Sequence, residues 1–433
     1  MVCEMLSKKA RTRKGSAAYS WYYGFIFSFV VSFFTLFVYP VLAQNNCLEC
    51  HGDPEFSIEN DAGEEIPLFV DSTTFAQSVH GDFQCVDCHA DAETISHPDE
   101  PLKKVDCSEC HDDESATYNG SVHGKAKLAG NTDAPSCSDC HGTHDILSSS
   151  NLNSKVYILN VAATCASCHA NPKIVKKYNL PEDPLKAYKN SIHGVAVLSE
   201  HNFKAATCIS CHGAHGIKSM DNPESPIFWK NVPKTCGECH DDIYQAYTES
   251  IHGTAVADGV RDAPVCTDCH GEHEVKSVEN PESPVNPLKV SSETCERCHA
   301  SKVLTQRYGL STSNAATYNK SYHGLAVKEG QLSAANCASC HGIHNILPSS
   351  DPRSTIYPGN LRKTCGKCHS DVSANILKGA VHLTTSTTPG RVVKLVSNLY
   401  FWLIIMVIGG MILHNGADFV RKSRKILNQR DEE

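Results

Sequence analysis

Positions 266–273 read CTDCHGEH, two cysteines and two histidines within eight residues. Thiolates and imidazoles are strong ligands for transition metals, and thiols are also the chain's most readily alkylated groups. Such density points to metal, redox or covalent chemistry. The phrase is not unique. Of 23 cysteines, Cys3 stands alone and the other 22 form eleven Cys-x-x-Cys pairs, each followed directly by histidine. The triplets are Cys47, Cys50 and His51; Cys85, Cys88 and His89; Cys107, Cys110 and His111; Cys137, Cys140 and His141; Cys165, Cys168 and His169; and Cys208, Cys211 and His212. They continue with Cys236, Cys239 and His240; Cys266, Cys269 and His270; Cys295, Cys298 and His299; Cys337, Cys340 and His341; and Cys365, Cys368 and His369.

Three chemistries compete for such triplets. A disulfide framework needs paired cysteines but gives no reason for the histidine. Zinc knuckles use paired cysteines or mixed Cys/His spacings and do not require an adjacent histidine. Covalent c-type haem needs all three residues: two thiols to bond the two vinyl groups and a neighbouring imidazole for the iron. Eleven identical triplets point to eleven covalent haems c.

Composition agrees. The chain has 433 residues but only 14 phenylalanines, 5 methionines and 3 tryptophans. Large apolar side chains are too scarce for an ordinary core. Residues 44–391 supply about 32 residues per motif, a density at which macrocycles fill the interior. The expected fold is mostly α, with short helices, extensive irregular loops and almost no sheet.

The opposite face of each iron decides between electron carriage and catalysis. Met220 is the only methionine between residues 44 and 391, whereas 13 histidines lie outside the motifs. Ten of these recur in two phrases. Ser-x-His-Gly gives His80, His123, His193, His252 and His323, with a degenerate copy at His382; CxxCHGxH gives His144, His215, His273 and His344. His97, in SHPDEP between two close motifs, makes eleven distal candidates for eleven irons, leaving His201 and His414. In CTDCHGEH, His270 serves its own haem. Three residues reach about 11 Å at most, too short to round the macrocycle edge, so His273 must serve a different haem nearby. Two imidazoles per iron give a six-coordinate, low-spin, low-potential centre with no open site.

These phrases repeat in a fixed order. His123 to His252 and Cys236 to Cys365 are both 129 residues, and VPKTCGECHDDI mirrors LRKTCGKCHSDV at that period. A long fixed period marks an array of similar units. Residues 44–120 read as a three-haem cap and 121–391 as a repeated eight-haem region.

Two apolar runs flank this region. Residues 1–43 carry Lys8, Lys9, Arg11, Arg13 and Lys14, then Tyr19–Leu42, then Val41-Leu42-Ala43, and read as a signal peptide or signal anchor. The second run, Leu395–Leu413, has 19 residues without a charge, enough for about 30 Å of bilayer. Residues 392–414 are the expected transmembrane helix. Arg421, Lys422, Arg424 and Lys425 in the tail 415–433 place the C-terminus in the cytoplasm and the haem region on the periplasmic side of the inner membrane. Residues 15–417 hold 43 acidic and 29 basic residues, a formal charge of −14 that argues against nucleic acid as a partner.

The phrases TCxxCH, SxHG and CHGxH, from Cys47 to His382, resemble the bis-histidine multihaem cytochromes c of metal-, sulfur- and nitrogen-respiring bacteria and archaea. Residues 388–422, TPGRVVKLVSNLYFWLIIMVIGGMILHNGADFVRK, resemble the junction where a multihaem domain meets a dihaem cytochrome b in membrane cytochrome b/c proteins. In fused versions the b-type helices follow; here the sequence ends at Glu433. The resemblance implies a separate cytochrome b subunit that binds this helix and exchanges electrons with quinone in anaerobic respiration. His414 then ligates a partner's haem b or lines a quinone site, or else is a polar residue at the headgroup boundary.

Three functions are open on this reading: an electron conduit between quinone and periplasmic or extracellular redox acceptors; a reductase or oxidase of small nitrogen or sulfur compounds with one open iron; or a filament or outer-membrane conductor. For the conduit, no catalytic residue is expected. All three require the same cofactor count. The denatured, isolated holoprotein is expected to retain eleven haems per chain in an alkaline pyridine haemochrome assay; a disulfide or zinc protein would retain none.

Overall fold

The computed structural model describes residues 47–59, 63–92, 102–311, 313–373, 377, 382 and 388–430. The export segment 1–43 and the candidate ligand His97 lie outside the described residues. The chain is mostly helical. Apart from one long C-terminal helix, its helices are short, from four residues at Cys85–Cys88 to nine at Val161–His169, and irregular turns join them. Among the described residues one sheet occurs, the antiparallel pair β1 (Ser57–Glu59) and β2 (Glu65–Pro67), with Ile58 opposite Ile66.

Two compact units form, one ending at Cys165 and one beginning at Ala166. The first runs past the expected cap boundary at residue 120. The Val79 amide donates to the Ile146 carbonyl at 2.8 Å, tying the cap's loop to the first repeat.

A common plan recurs four times. A helix ends near a tyrosine: Asp112–Asn119, Pro184–Asn190, Asp241–Thr248 and Ser313–Asn319. Three residues after that tyrosine, a serine caps the next helix: Val122–Leu128, Ile192–Leu198, Ile251–Ala257 and Tyr322–Lys328. Physical chemistry explains the Ser-x-His-Gly phrase here. The serine oxygen accepts from the glycine amide, at 3.0 Å for Ser121–Gly124, 2.9 Å for Ser191–Gly194 and 3.0 Å for Ser250–Gly253, which satisfies an orphan donor at the helix start. The glycine is needed for a different reason. A Cβ on Gly124, Gly194, Gly253 or Gly324 would collide with the backbone oxygen of Tyr118, Tyr188, Tyr247 or Tyr318. The histidine-bearing helix therefore packs against the end of the helix before it.

Each tyrosine reaches forward to the next motif. Tyr188 donates to Ala206 O at 3.1 Å, Tyr247 to Pro264 O at 2.8 Å and Tyr318 to Ala335 O at 3.1 Å, and Tyr118 donates to Pro135 O. Each acceptor stands two residues before the first cysteine of a triplet. A threonine before the other class of triplet does a parallel job: Thr164 donates to Lys155 O at 2.7 Å, Thr235 to Pro226 O at 2.7 Å, Thr294 to Pro284 O at 2.7 Å and Thr364 to Thr355 O at 2.6 Å. The third copy holds one more residue between its buried serine and this threonine, and Val290–Cys295 absorbs it as a π-helical turn.

The buried interior is unusual. The fully buried side chains are Val197, Thr305 and seven serines, Ser121, Ser154, Ser191, Ser225, Ser250, Ser283 and Ser354. Among the described residues no Phe, Ile, Met or Trp is buried; the buried apolar side chains are mainly Ala and Val. The packed apolar cluster is small: Val232, Val256 and Val265, flanked by Trp229 and Ala263. Protein interiors are filled at the density of organic crystals, so an interior this poor in large apolar side chains suits a group that is not polypeptide.

The C-terminal helix differs in kind. It runs Thr388–Arg430 without a break. Within it, Gly390–Lys425 is long and apolar enough to cross a membrane, with a window of mean hydropathy 2.1 and none of that window buried. Leu395, Trp402, Met406 and Leu413 all stand exposed.

Replacing Gly253 with alanine is expected to cost about 2 kcal/mol through overpacking against Tyr247 O, read as a lower denaturant midpoint. Tyr247→Phe, which deletes only the bond to Pro264 O, is expected to cost about 1 kcal/mol in the same measurement.

Candidate haem sites

Each triplet is built on local structure that its own sequence dictates. Cys137–His141, Cys208–His212, Cys266–His270 and Cys337–His341 are single-turn helices. One turn puts residues i, i+3 and i+4 on one face, so both thiols and the imidazole share a side. The variable residue before the second cysteine closes the turn. Asp139 accepts from Ser136 N at 2.6 Å, Asp268 from Val265 N at 2.8 Å, Ser210 from Thr207 N at 3.0 Å and Ser339 from Asn336 N at 3.1 Å. The glycine after the histidine ends the turn with positive φ, 96° at Gly142, 79° at Gly213, 83° at Gly271 and 86° at Gly342. That reversal directs the next histidine away from the first.

The second imidazoles come from elsewhere in the chain. Within the first unit, His111 faces His80 with ring centres 6.1 Å apart, and His89 faces His144 at 6.2 Å. Within the second, His240 faces His193 at 6.2 Å, His212 faces His273 at 6.0 Å, and His299 faces His252 at 6.2 Å. His270 faces His344 at 6.1 Å, His369 faces His323 at 6.1 Å, and His341 faces His382 at 6.2 Å. Every pair joins a motif histidine to a histidine from one of the two recurring phrases. A metal–imidazole bond is about 2 Å and the nitrogen lies about 1.1 Å from the ring centre, so two imidazoles on opposite faces of one metal have centres about 6.2 Å apart. The spacing fits an iron between each pair.

Electrostatics fits as well. Burial, then His299, pushes His252 down to about 4. Burial also lowers His144, His193, His212, His270 and His341, with a neighbouring histidine second; it lowers His382 against a smaller opposing effect of the Asn314 backbone, and alone lowers His299 and His344. Burial keeps these rings neutral, the form that has a lone pair to give.

His51, His123, His141, His169 and His215 make interactions of their own. His51 shares its Nδ1 with Leu68 O at 2.8 Å and lies edge-on to Phe56 at 5.2 Å. A carbonyl partner on Nδ1 is the arrangement that fixes a ligating imidazole's tautomer and orientation. Burial, then His273, lowers His169. Sequence reasoning missed the tyrosines at 118, 188, 247 and 318, although their constant place three residues before each capping serine was a readable signal.

The triplets are neighbours in chain order. In the first unit the thiols of Cys47 and Cys85 share a hydrogen bond, as do those of Cys107 and Cys137, and Cys88 feels Cys110. In the second, His169 lies near His212, Cys211 near Cys236 and Cys239, Cys236 beside Cys266, Cys269 near Cys298, Cys295 beside Cys337, and Cys340 near Cys365. Among the described residues no disulfide links these cysteines, and no three His, Cys, Asp or Glu side chains converge as a metal cluster. Paired imidazoles at iron spacing, adjacent thiols and an interior short of apolar side chains together suit covalent haem.

Comparison with known proteins agrees. Residues 201–244 match the doubled CXXCH motif family, spanning the triplets at His212 and His240. Motif and ligand geometry together support a multihaem c-type cytochrome. The chain is 26% identical over 151 residues to the cytochrome c-type protein NrfB of Haemophilus influenzae, covering 27% of this chain and 67% of that protein. It is 24% identical over 220 residues to the multiheme cytochrome MtrA of Shewanella baltica, covering 47% of this chain and 54% of that protein. No solved structure matches the chain.

Gly271→Ala is expected to cost about 1–2 kcal/mol, because a left-handed backbone strains any residue with a Cβ. Gly259→Ala, with similar φ outside any triplet, should cost a like amount. Only Gly271→Ala should also alter the visible absorption spectrum, by turning His273 from His212.

Proposed function

We propose that this cytochrome is a membrane-anchored, eleven-haem electron relay. It moves electrons between the quinone pool, through a cytochrome b partner, and acceptors in the periplasm or outside the cell. The observation that carries this reading is the set of eight imidazole pairs with centres 6.0–6.2 Å apart, each joining a motif histidine to a phrase histidine. Haem c supplies reversible one-electron exchange when bound. The chain's residues do the rest. The thiols of each triplet would hold the macrocycle, and its histidine and the phrase histidine would hold the iron from either side. His97, His123 and His215 complete the distal set of eleven. Two imidazoles per iron leave no face for a substrate, which favours relay over reductase chemistry. Succession of the triplets in chain order favours passage of electrons from one to the next.

The C-terminal helix supports anchoring. A helix apolar all round and exposed along its length needs lipid or a partner to cover it. In the inner membrane, its basic end at Arg421–Lys425 faces the cytoplasm and the triplets lie on the other side. Residues 1–43 direct export. The helix is also where the cytochrome b subunit docks, with His414 towards that partner.

Dithionite-reduced native protein is expected to bind no carbon monoxide. His273→Ala is expected to bind about one per chain, at the haem of His212, while keeping its covalent haem count. Carbon monoxide binding to the native protein would instead favour a reductase with an open iron. Removal of residues 388–433 is expected to move the cytochrome from the membrane to the soluble fraction after cell breakage; retention in the membrane would overturn the anchoring.

A further inference from the structure

Numbered along the chain, the triplets at His89, His212, His270 and His341 are even and those at His111, His240, His299 and His369 are odd. The source of the second imidazole alternates with this parity. Even triplets receive theirs from further on: His144, His273 and His344 each follow the triplet two places ahead, and His382 follows the last triplet. Odd triplets receive theirs from behind, from a Ser-x-His-Gly phrase lying between the two preceding triplets, on a helix at His193, His252 and His323 and in a turn at His80.

Ring geometry divides along the same line. The even pairs have interplanar angles of 35°, 5°, 23° and 35°. The odd pairs have 59°, 44°, 50° and 45°. The two sets do not overlap. The cause lies in the supports. Three odd pairs take their ring from the second position of a serine-capped helix, and the fourth takes His80 from a turn, whereas three even pairs take theirs from a loop three residues past a triplet, after a glycine of positive φ.

We propose that the irons form two alternating classes, near-parallel at even triplets and twisted at odd ones. This rests on the bis-histidine ligation proposed above. Each imidazole donates π density from the orbital normal to its ring. Parallel rings load one iron d orbital, split it from its partner and stabilise the ferric state. Twisted rings share the donation between two orbitals, split them less and stabilise the ferric state less. Axial ligand identity is the same throughout, so orientation is the lever that sets the classes apart. Odd centres thus sit at higher potential than even ones in matched surroundings, and an electron moving along the chain meets the two in turn.

Low-temperature electron paramagnetic resonance of the full-length, fully oxidised protein in detergent tests this. Two low-spin families of comparable intensity are expected: a rhombic set with three resolved features, and a set dominated by one low-field feature. His273→Ala should remove about one iron from the rhombic family, and His252→Ala about one from the other, with free imidazole restoring each. A single low-spin family in the native protein, or depletion of the same family by both variants, overturns the two classes while leaving the ligation intact. Mostly high-spin iron in the native protein overturns the ligation itself. The native spectrum decides even where a variant fails to fold.

Discussion

A short peptide cannot carry a ligand around the edge of a porphyrin. That constraint organises the whole molecule. His273 follows His270 by three residues and cannot cap the same metal, so it turns to His212, 61 residues earlier, with ring centres 6.0 Å apart. The same necessity joins His89 to His144 and His270 to His344. Each crossing staples two stretches of chain that would otherwise have little reason to meet. In an interior of serines and valines these staples, with the groups they hold, replace the apolar packing that orders most domains.

The scaffold answers this constraint with repeated small devices. A capping serine, a tyrosine hydroxyl on the backbone before the next triplet and a threonine on a loop carbonyl are each worth about 1 kcal/mol, and a glycine lets the tyrosine carbonyl approach. None is strong, but they recur in each unit and act on the residues flanking the ligands. Accuracy of ligand placement is thereby spread over many weak interactions.

Much of this was readable from the residues. Triplets, glycine-marked turns and the two histidine phrases have fixed local spacing, and local spacing survives in sequence. The long apolar C-terminal run was legible as well. Pairing was not. That His80 meets His111 rather than His89 depends on contacts across long separations, and no periodicity states it. Tyr118, Tyr188, Tyr247 and Tyr318 escaped notice because a lone aromatic in a helix looks like ordinary core. The π-helical turn at Val290–Cys295 follows from a single extra residue, visible only once the copies are laid side by side. His97 stays a sequence expectation.

The alternation of forward and backward partners sets the module by which such a chain can grow or shrink. Excising one triplet with its flanks would shift parity downstream and leave histidines addressed to the wrong neighbour. Excising or duplicating a block of two preserves every address. The 129-residue identity of spacing, which holds two short units and four triplets, is the mark that duplication of even-sized blocks would leave.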